Sequence, residues 1–152
     1  MSEKKEILVD VKHLKKYFQV SRTNVLKAVD DISFQIRRGE TVGLVGESGC
    51  GKSTAGRCLI RLDHPTEGEI YYKGKELAKQ DAKEKIEFCK NVQMIFQNPY
   101  SSLNPRMTVR EIVSEGIRLH DKLTEKEIAE KVKELLRKVG LNGDHMSRFP
   151  HE

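Results

Sequence analysis

The chain has 152 residues, 37% of them apolar and 34% charged, with 28 Lys and Arg against 23 Asp and Glu. That length suits one domain of ordinary size, and that polarity suits a soluble one. The excess of five positive charges fits an anionic ligand such as a nucleotide, or an anionic membrane surface, while the lack of a dense basic block with interleaved aromatics argues against nucleic acid.

In chain order, Met1 to Glu6 is charged and has no apolar core of the signal-peptide kind. Ile7 to Leu14 alternates, with Ile7, Val9 and Val11 on one face, and reads as a strand. Ser21-Arg22-Thr23-Asn24 is a turn, and Val25 to Ile36 resumes the alternation through Ile32, Phe34 and Ile36. The Asp30-Asp31 pair reads as a turn-like stretch rather than a catalytic pair. Arg38-Gly39-Glu40 turns the chain into Thr41-Val42-Gly43-Leu44-Val45, a short apolar run of the kind that forms a buried parallel strand.

Gly46-Glu47-Ser48-Gly49-Cys50-Gly51-Lys52-Ser53-Thr54 follows, with the spacing G-x-x-x-x-G-K-[ST] of a phosphate-binding loop. Glycines let the backbone bring its N–H groups close to a phosphate. Lys52 can reach the β- and γ-phosphates as a point charge, and the Ser53 hydroxyl suits Mg²⁺. Ala55 to Leu62, with Leu59, Ile60 and Leu62, continues as a helix whose N-terminal dipole favours an anion.

Pro65 to Gly68 is a turn, and Glu69 to Leu77 reads as a small hairpin about Lys73-Gly74. Residues 78–90 read as a charged helix anchored by Ile86 and Phe88. Asn91 to Phe96 is a further strand candidate with Gln97 at its end, and ligands of open α/β sheets bind beyond strand carboxyl ends. Asn98 to Pro105 is rich in turn formers. Thr108-Val109-Arg110-Glu111 and Thr124-Glu125-Lys126-Glu127 both match the T-x-x-E helix start. The second of these helices carries an apolar stripe of Ile128, Val132, Leu135, Leu136 and Val139, and Gly140 is its expected cap.

Cys50, Cys58 and Cys89 are odd in number and form no C-x-x-C pair, so neither a disulfide framework nor a zinc site is expected, which fits a reducing cytosol. Cys50, beside Lys52 in the loop, is a candidate oxidisable thiol or a small filler. None of the five histidines has metal-ligand spacing. No window approaches the ~20 apolar residues of a membrane span, so a membrane role is expected to come through a partner.

Three stretches together carry a family resemblance. They are the loop Gly46–Thr54, the segment Gln93-Met94-Ile95-Phe96-Gln97-Asn98-Pro99-Tyr100-Ser101-Ser102-Leu103-Asn104-Pro105-Arg106-Met107, and Arg148-Phe149-Pro150-His151-Glu152. From about residue 7 onward the chain resembles the N-terminal half of an ABC transporter ATP-binding subunit. The middle stretch makes it most similar to the oligopeptide/dipeptide importer group. The resemblance implies an α/β, P-loop NTPase fold of the ABC type, incomplete, with an antiparallel β region and the start of a helical subdomain. On that reading residues 1–152 are the N-terminal part of one domain, with 7–97 the β region and P-loop core and 98–152 the start of the helical subdomain.

The resemblance also implies roles. Phe18 matches the aromatic that stacks on adenine, with Tyr17 as second choice. Residues 46–54 hold the phosphates of ATP, Ser53 and Gln97 ligate Mg²⁺, and Lys52 and Gln97 act in catalysis, Gln97 by placing the attacking water. The helices 108–139 match the region facing transmembrane permease subunits. A second ATP-binding subunit, identical or related, completes the motor on the cytoplasmic face of the membrane. An extracellular substrate-binding protein acts indirectly, and no nucleic acid is involved. In the family the signature stretch Leu/Phe-Ser-Gly-Gly-Gln follows the position of Glu152, and the base for hydrolysis lies beyond it. The 152-residue chain is therefore expected to carry the phosphate loop and glutamine segment without turnover of its own. The alternative is a non-hydrolytic remnant that binds nucleotide or docks on a partner. Which cargo is moved is left open.

Overall fold

A computed structural model describes residues 6–98 and 100–152, and the chain divides into two compact units, one running to Gln93 and the other from Met94 to Glu152. In the first, β1 (Ile7–Gln19), β2 (Val25–Arg37), β3 (Glu67–Tyr72) and β4 (Lys75–Glu76) form an antiparallel sheet in the order β2-β1-β3-β4. Helix α1 (Lys52–Leu59) lies between β2 and β3 in sequence, and α2 (Ala82–Asn91) follows β4. The antiparallel β region ahead of the phosphate loop is thus present, and β1 runs five residues beyond the expected Leu14.

β1 contains a break in period that explains its core. Val11 and Leu14 are both buried, although strict alternation would put residues three apart on opposite faces. The pairing with β2 shifts register between them, with His13 at φ 51° and Asp31 at φ 61° on the facing strand. The extra residue returns Leu14 to the inner face. The bulge is fastened by the His13 N–H donating to Ser33 Oγ and by His13 Nδ1 against the Asp31 carboxylate, each at 2.8 Å. Asp30 and Asp31 therefore sit within β2 and not on a turn.

Onto this sheet pack Ala55 and Cys58 of α1, one helical turn apart, with Val29, Ile70, Leu77 and Phe88. The Tyr72 and Phe88 rings meet edge to face at 5.2 Å. Of the two expected anchors of α2, Phe88 is buried and Ile86 is exposed. α1 ends earlier than expected, at Leu59, and Arg61 turns the chain at φ 63°. The hairpin forms about Lys73-Gly74, but Leu77 leaves it to open a short 3-10 turn over Leu77–Lys79 and enter the core.

Two expected strands are not formed. Residues 41–45 have no regular structure, and of the expected strand 91–96 Asn91 ends α2 while 92–96 have none; Val45 and Ile95 are each 94% exposed. The reason is pairing: a strand needs a neighbour to take its N–H and C=O groups, and among the described residues none runs beside either segment.

The second unit is helical. α3 (Val109–His120) and α4 (Glu125–Lys138) each begin with the expected capping box, Thr108 with Glu111 and Thr124 with Glu127. Ile117, Ile128, Val132 and Leu136 form its core, flanked by Val113, Leu123 and Met146. Leu135 and Val139 of the expected stripe are instead exposed, so the buried seam is narrower than the sequence pattern. Arg118 donates to both Glu125 carboxylate oxygens at 3.0 Å, linking α3 to the first turn of α4. α4 ends as expected at Gly140, whose φ of 79° lets Leu141 N–H reach back to the Leu136 carbonyl at 2.9 Å.

Candidate functional site

The loop from Gly46 to Gly51 leads into α1, and its backbone is held against β2. Gly51 has φ 92°, and a Cβ there would lie 1.9 Å from the Ala28 carbonyl oxygen. Only glycine permits both the left-handed turn and that approach. The approach brings the start of α1 beside the end of β1 and the start of β2. There Phe18, Leu26, Lys27 and Ala28 on one side, and Gly49 to Thr54 on the other, line a single open cavity of ≈ 300 Å³.

The N-terminus of α1 differs from the other three α-helices. α2, α3 and α4 each carry a capping box with a glutamate in the first turn. α1 has no side-chain cap and no acidic residue in its first turn. Its first N–H groups, and the positive end of its dipole, face no carboxylate of their own helix. Lys52 is folded onto its own loop, its ammonium donating to the Gly46 and Glu47 carbonyls at 2.9 and 2.5 Å, with Cys50 Sγ 3.6 Å away. Two neutral carbonyls are exchangeable for an anion, because the ammonium then gains Coulombic attraction to a full negative charge.

The expected site residues thus fall into three groups. Phe18, Gly49, Cys50, Gly51, Lys52, Ser53 and Thr54 share the cavity. Gly46 and Glu47 hold the Lys52 ammonium, and Ser48 lies in the exposed part of the loop. Gln97 is carried by the second unit, exposed at a bend after residue 96. Of the two aromatic candidates, Phe18 is 37% exposed and lines the cavity. Tyr17 is not among the lining residues, and its hydroxyl donates to Asp30. That bond, with the Lys27 ammonium 3.2 Å from the other Asp30 oxygen, holds the Asp30 carboxyl below its ordinary range. The same contact with Asp30 raises the Tyr17 and Lys27 pKa values. Burial pushes the Cys58 thiol up, so it is the least reactive in character of the three cysteines.

Sequence reasoning did not single out Leu26, Lys27 and Ala28. The signal was the alternation of β2 itself, which sets Leu26 and Ala28 on one face two residues apart. Nothing local in the sequence says that this face meets the loop.

The residues fit a nucleoside triphosphate: an aromatic ring at one side of the cavity, a glycine-bearing loop, an uncapped helix start and a lysine at the other. They also fit Mg²⁺, which keeps several waters and is held by one or two protein oxygens together with phosphates, so that Ser53 needs no carboxylate cage around it. Among the described residues, no group of three His, Cys, Asp or Glu could hold a metal by itself.

An antiparallel sheet with a G-x-x-x-x-G-K-[ST] loop opening a helix is consistent with part of a P-loop domain. The match to the family described as ABC transporter runs over residues 29–152, and the chain belongs to that family. It is 53% identical over 149 residues to the oligopeptide transport ATP-binding protein OppF of Bacillus subtilis, covering 97% of this chain and 48% of that protein. It is 46% identical over 143 residues to the dipeptide transport ATP-binding protein DppF of Haemophilus influenzae, covering 91% of this chain and 44% of that protein. Among solved structures it superposes, at TM-score 0.78 and 25% identity, on the dimeric post-hydrolysis ATP-binding cassette MJ0796 bound to ADP and Pi, with 95% of this chain and 62% of that one covered. The chain spans about half the length of the curated relatives it matches. Among the described residues no helix is long and apolar enough to cross a membrane.

Proposed function

We propose that this chain is the N-terminal part of the ATP-binding motor subunit of an ABC importer for peptides. The observation that carries the reading is the cavity shared by Phe18 and residues Gly49 to Thr54 at the uncapped start of α1. Phe18 offers a π-face to adenine, and stacking on an aromatic tolerates any base. The N–H groups of residues 51–54 and the Lys52 ammonium take the β- and γ-phosphates, and Ser53 supplies an oxygen to Mg²⁺. When bound, that cation neutralises charge on the phosphates. The role proposed for Gln97, from the family resemblance, is that of a further Mg²⁺ ligand and the residue that places water.

The peptide cargo is supported by the relatives' names, which are those of oligopeptide and dipeptide transport proteins. The proposed assembly pairs this subunit with a second ATP-binding subunit and with transmembrane permease subunits, on the cytoplasmic face of the membrane. An extracellular substrate-binding protein delivers cargo to the permease. The helices within residues 108–139 belong to the face proposed to meet the permease. The relatives do not favour the alternative of a non-hydrolytic remnant.

The test is a titration of the chain with a fluorescent ATP analogue, with circular dichroism confirming its helix and sheet. Saturable binding is expected, weakened about tenfold or more by Lys52→Ala, since hydrogen bonds to charged groups contribute about 1.5–3 kcal/mol. A folded chain with no saturable affinity would refute the reading.

A further inference from the structure

Phe18 is not a free ring. The Lys16 ammonium sits 4.9 Å from its centroid, over the ring face. The same ammonium donates to the His64 carbonyl at 2.8 Å, in the loop that follows α1. Lys16 and Phe18 are two apart on β1, so their side chains leave the same face of the strand. The lysine therefore spans from the ring to a fixed backbone acceptor on another element. A ring has two faces: an anchored cation on one restricts its rotation and leaves the other to a planar ligand.

We infer that Lys16 is a positioning residue for base recognition, holding the Phe18 ring through a cation–π contact and the His64 carbonyl. This rests on the reading of Phe18 as the adenine platform. Its signature is selective. Losing Lys16 weakens the part of the affinity that comes from the base and spares the part that comes from the phosphates. Removing a positive charge also weakens any anion's binding over longer range, but that loss is shared by ligands with and without a base and cancels in their ratio.

The experiment measures, by calorimetry on the 152-residue chain with Mg²⁺, the ratio of affinities for ATP and for inorganic tripolyphosphate. The variants are Lys16→Met, Lys16→Arg and Phe18→Ala. Phe18→Ala is expected to lower the ratio about tenfold, in line with base–aromatic stacking. Lys16→Met is expected to lower it about three- to fivefold, the scale of an exposed cation–π contact, and Lys16→Arg to restore most of it. If Lys16→Met leaves the ratio unchanged while Phe18→Ala collapses it, the inference about Lys16 is wrong and the platform stands. If Phe18→Ala also leaves the ratio unchanged, the platform itself is wrong and the Lys16 role falls with it.

Discussion

Replacing Gly51 by alanine tests whether the loop is held against β2 as described. Two costs are separable. The first is conformational: at φ 92° an L-residue is strained, by about 1–2 kcal/mol. The second is steric: the new Cβ would sit 1.9 Å from the Ala28 carbonyl oxygen, a backbone atom that no rotamer change can move. The loop and β2 must part by roughly 1 Å, and overpacking of that kind costs about 1–3 kcal/mol more. Gly49→Ala is the matched control, since it has φ 82° and nothing within 4 Å of its added Cβ, and so carries the first cost alone. Urea unfolding of the two variants should therefore differ by about 1–3 kcal/mol, Gly51→Ala being the less stable, against a total of about 5–15 kcal/mol for a domain. The retreat of the loop should also lower ATP affinity more than Gly49→Ala does. Equal unfolding midpoints for the two variants would show that the loop does not touch β2 at Ala28.

Leu14→Ala should destabilise the first unit by about 2–5 kcal/mol in denaturant, whereas Leu119→Ala, at a side chain 75% exposed, should stay within about 0.5 kcal/mol. Thr124→Ala should cost about 1 kcal/mol through loss of the α4 capping box, read as an earlier thermal transition by circular dichroism. Tyr17→Phe removes the main cause of the lowered Asp30 pKa. Because that pKa is depressed in the folded state, the stabilisation it reports is present above the ordinary 3.8 and lost as pH falls through the folded value, so the variant should lose stability at neutral pH and show a flatter acid limb below pH 3.8. A thiol reagent should modify Cys50 and Cys89 in the folded chain and reach Cys58 only on unfolding, and ATP should slow the reaction at Cys50 alone.

Local chemistry was legible where a few neighbouring residues complete their own structure. The capping boxes at Thr108 and Thr124, the turn at Lys73-Gly74 and the glycine stop at Gly140 each satisfy their hydrogen bonds within about four residues. The phosphate loop belongs with them: its glycines and lysine stand close in sequence, and its uncapped helix start follows from the lack of an acceptor side chain at Gly51. Structure that depends on a distant partner is less legible. Thr41 to Val45 and Val92 to Phe96 have the composition of buried strands, but composition states only what a segment would bury, and a ladder also needs a neighbour. The bulge between Val11 and Leu14 was hidden for a related reason, since it exists through Asp31 and Ser33 on the opposite strand.

The same distinction runs through the binding site. Its proposed phosphate end is built from nine consecutive residues, so a pattern finds it. Its proposed base end is built from Phe18, Leu26 and Lys27, brought to Gly51 by the hairpin of β1 and β2 and by the approach of the loop to Ala28. No spacing rule reaches across that hairpin; the resemblance put Phe18 ahead of Tyr17, and the strand faces add that Phe18 lines the cavity while Tyr17 does not. A mutation in the loop should therefore weaken every phosphate ligand alike. A mutation at the hairpin should separate ligands that carry a base from those that do not, because the two ends of the cavity come from parts of the chain joined only by the fold.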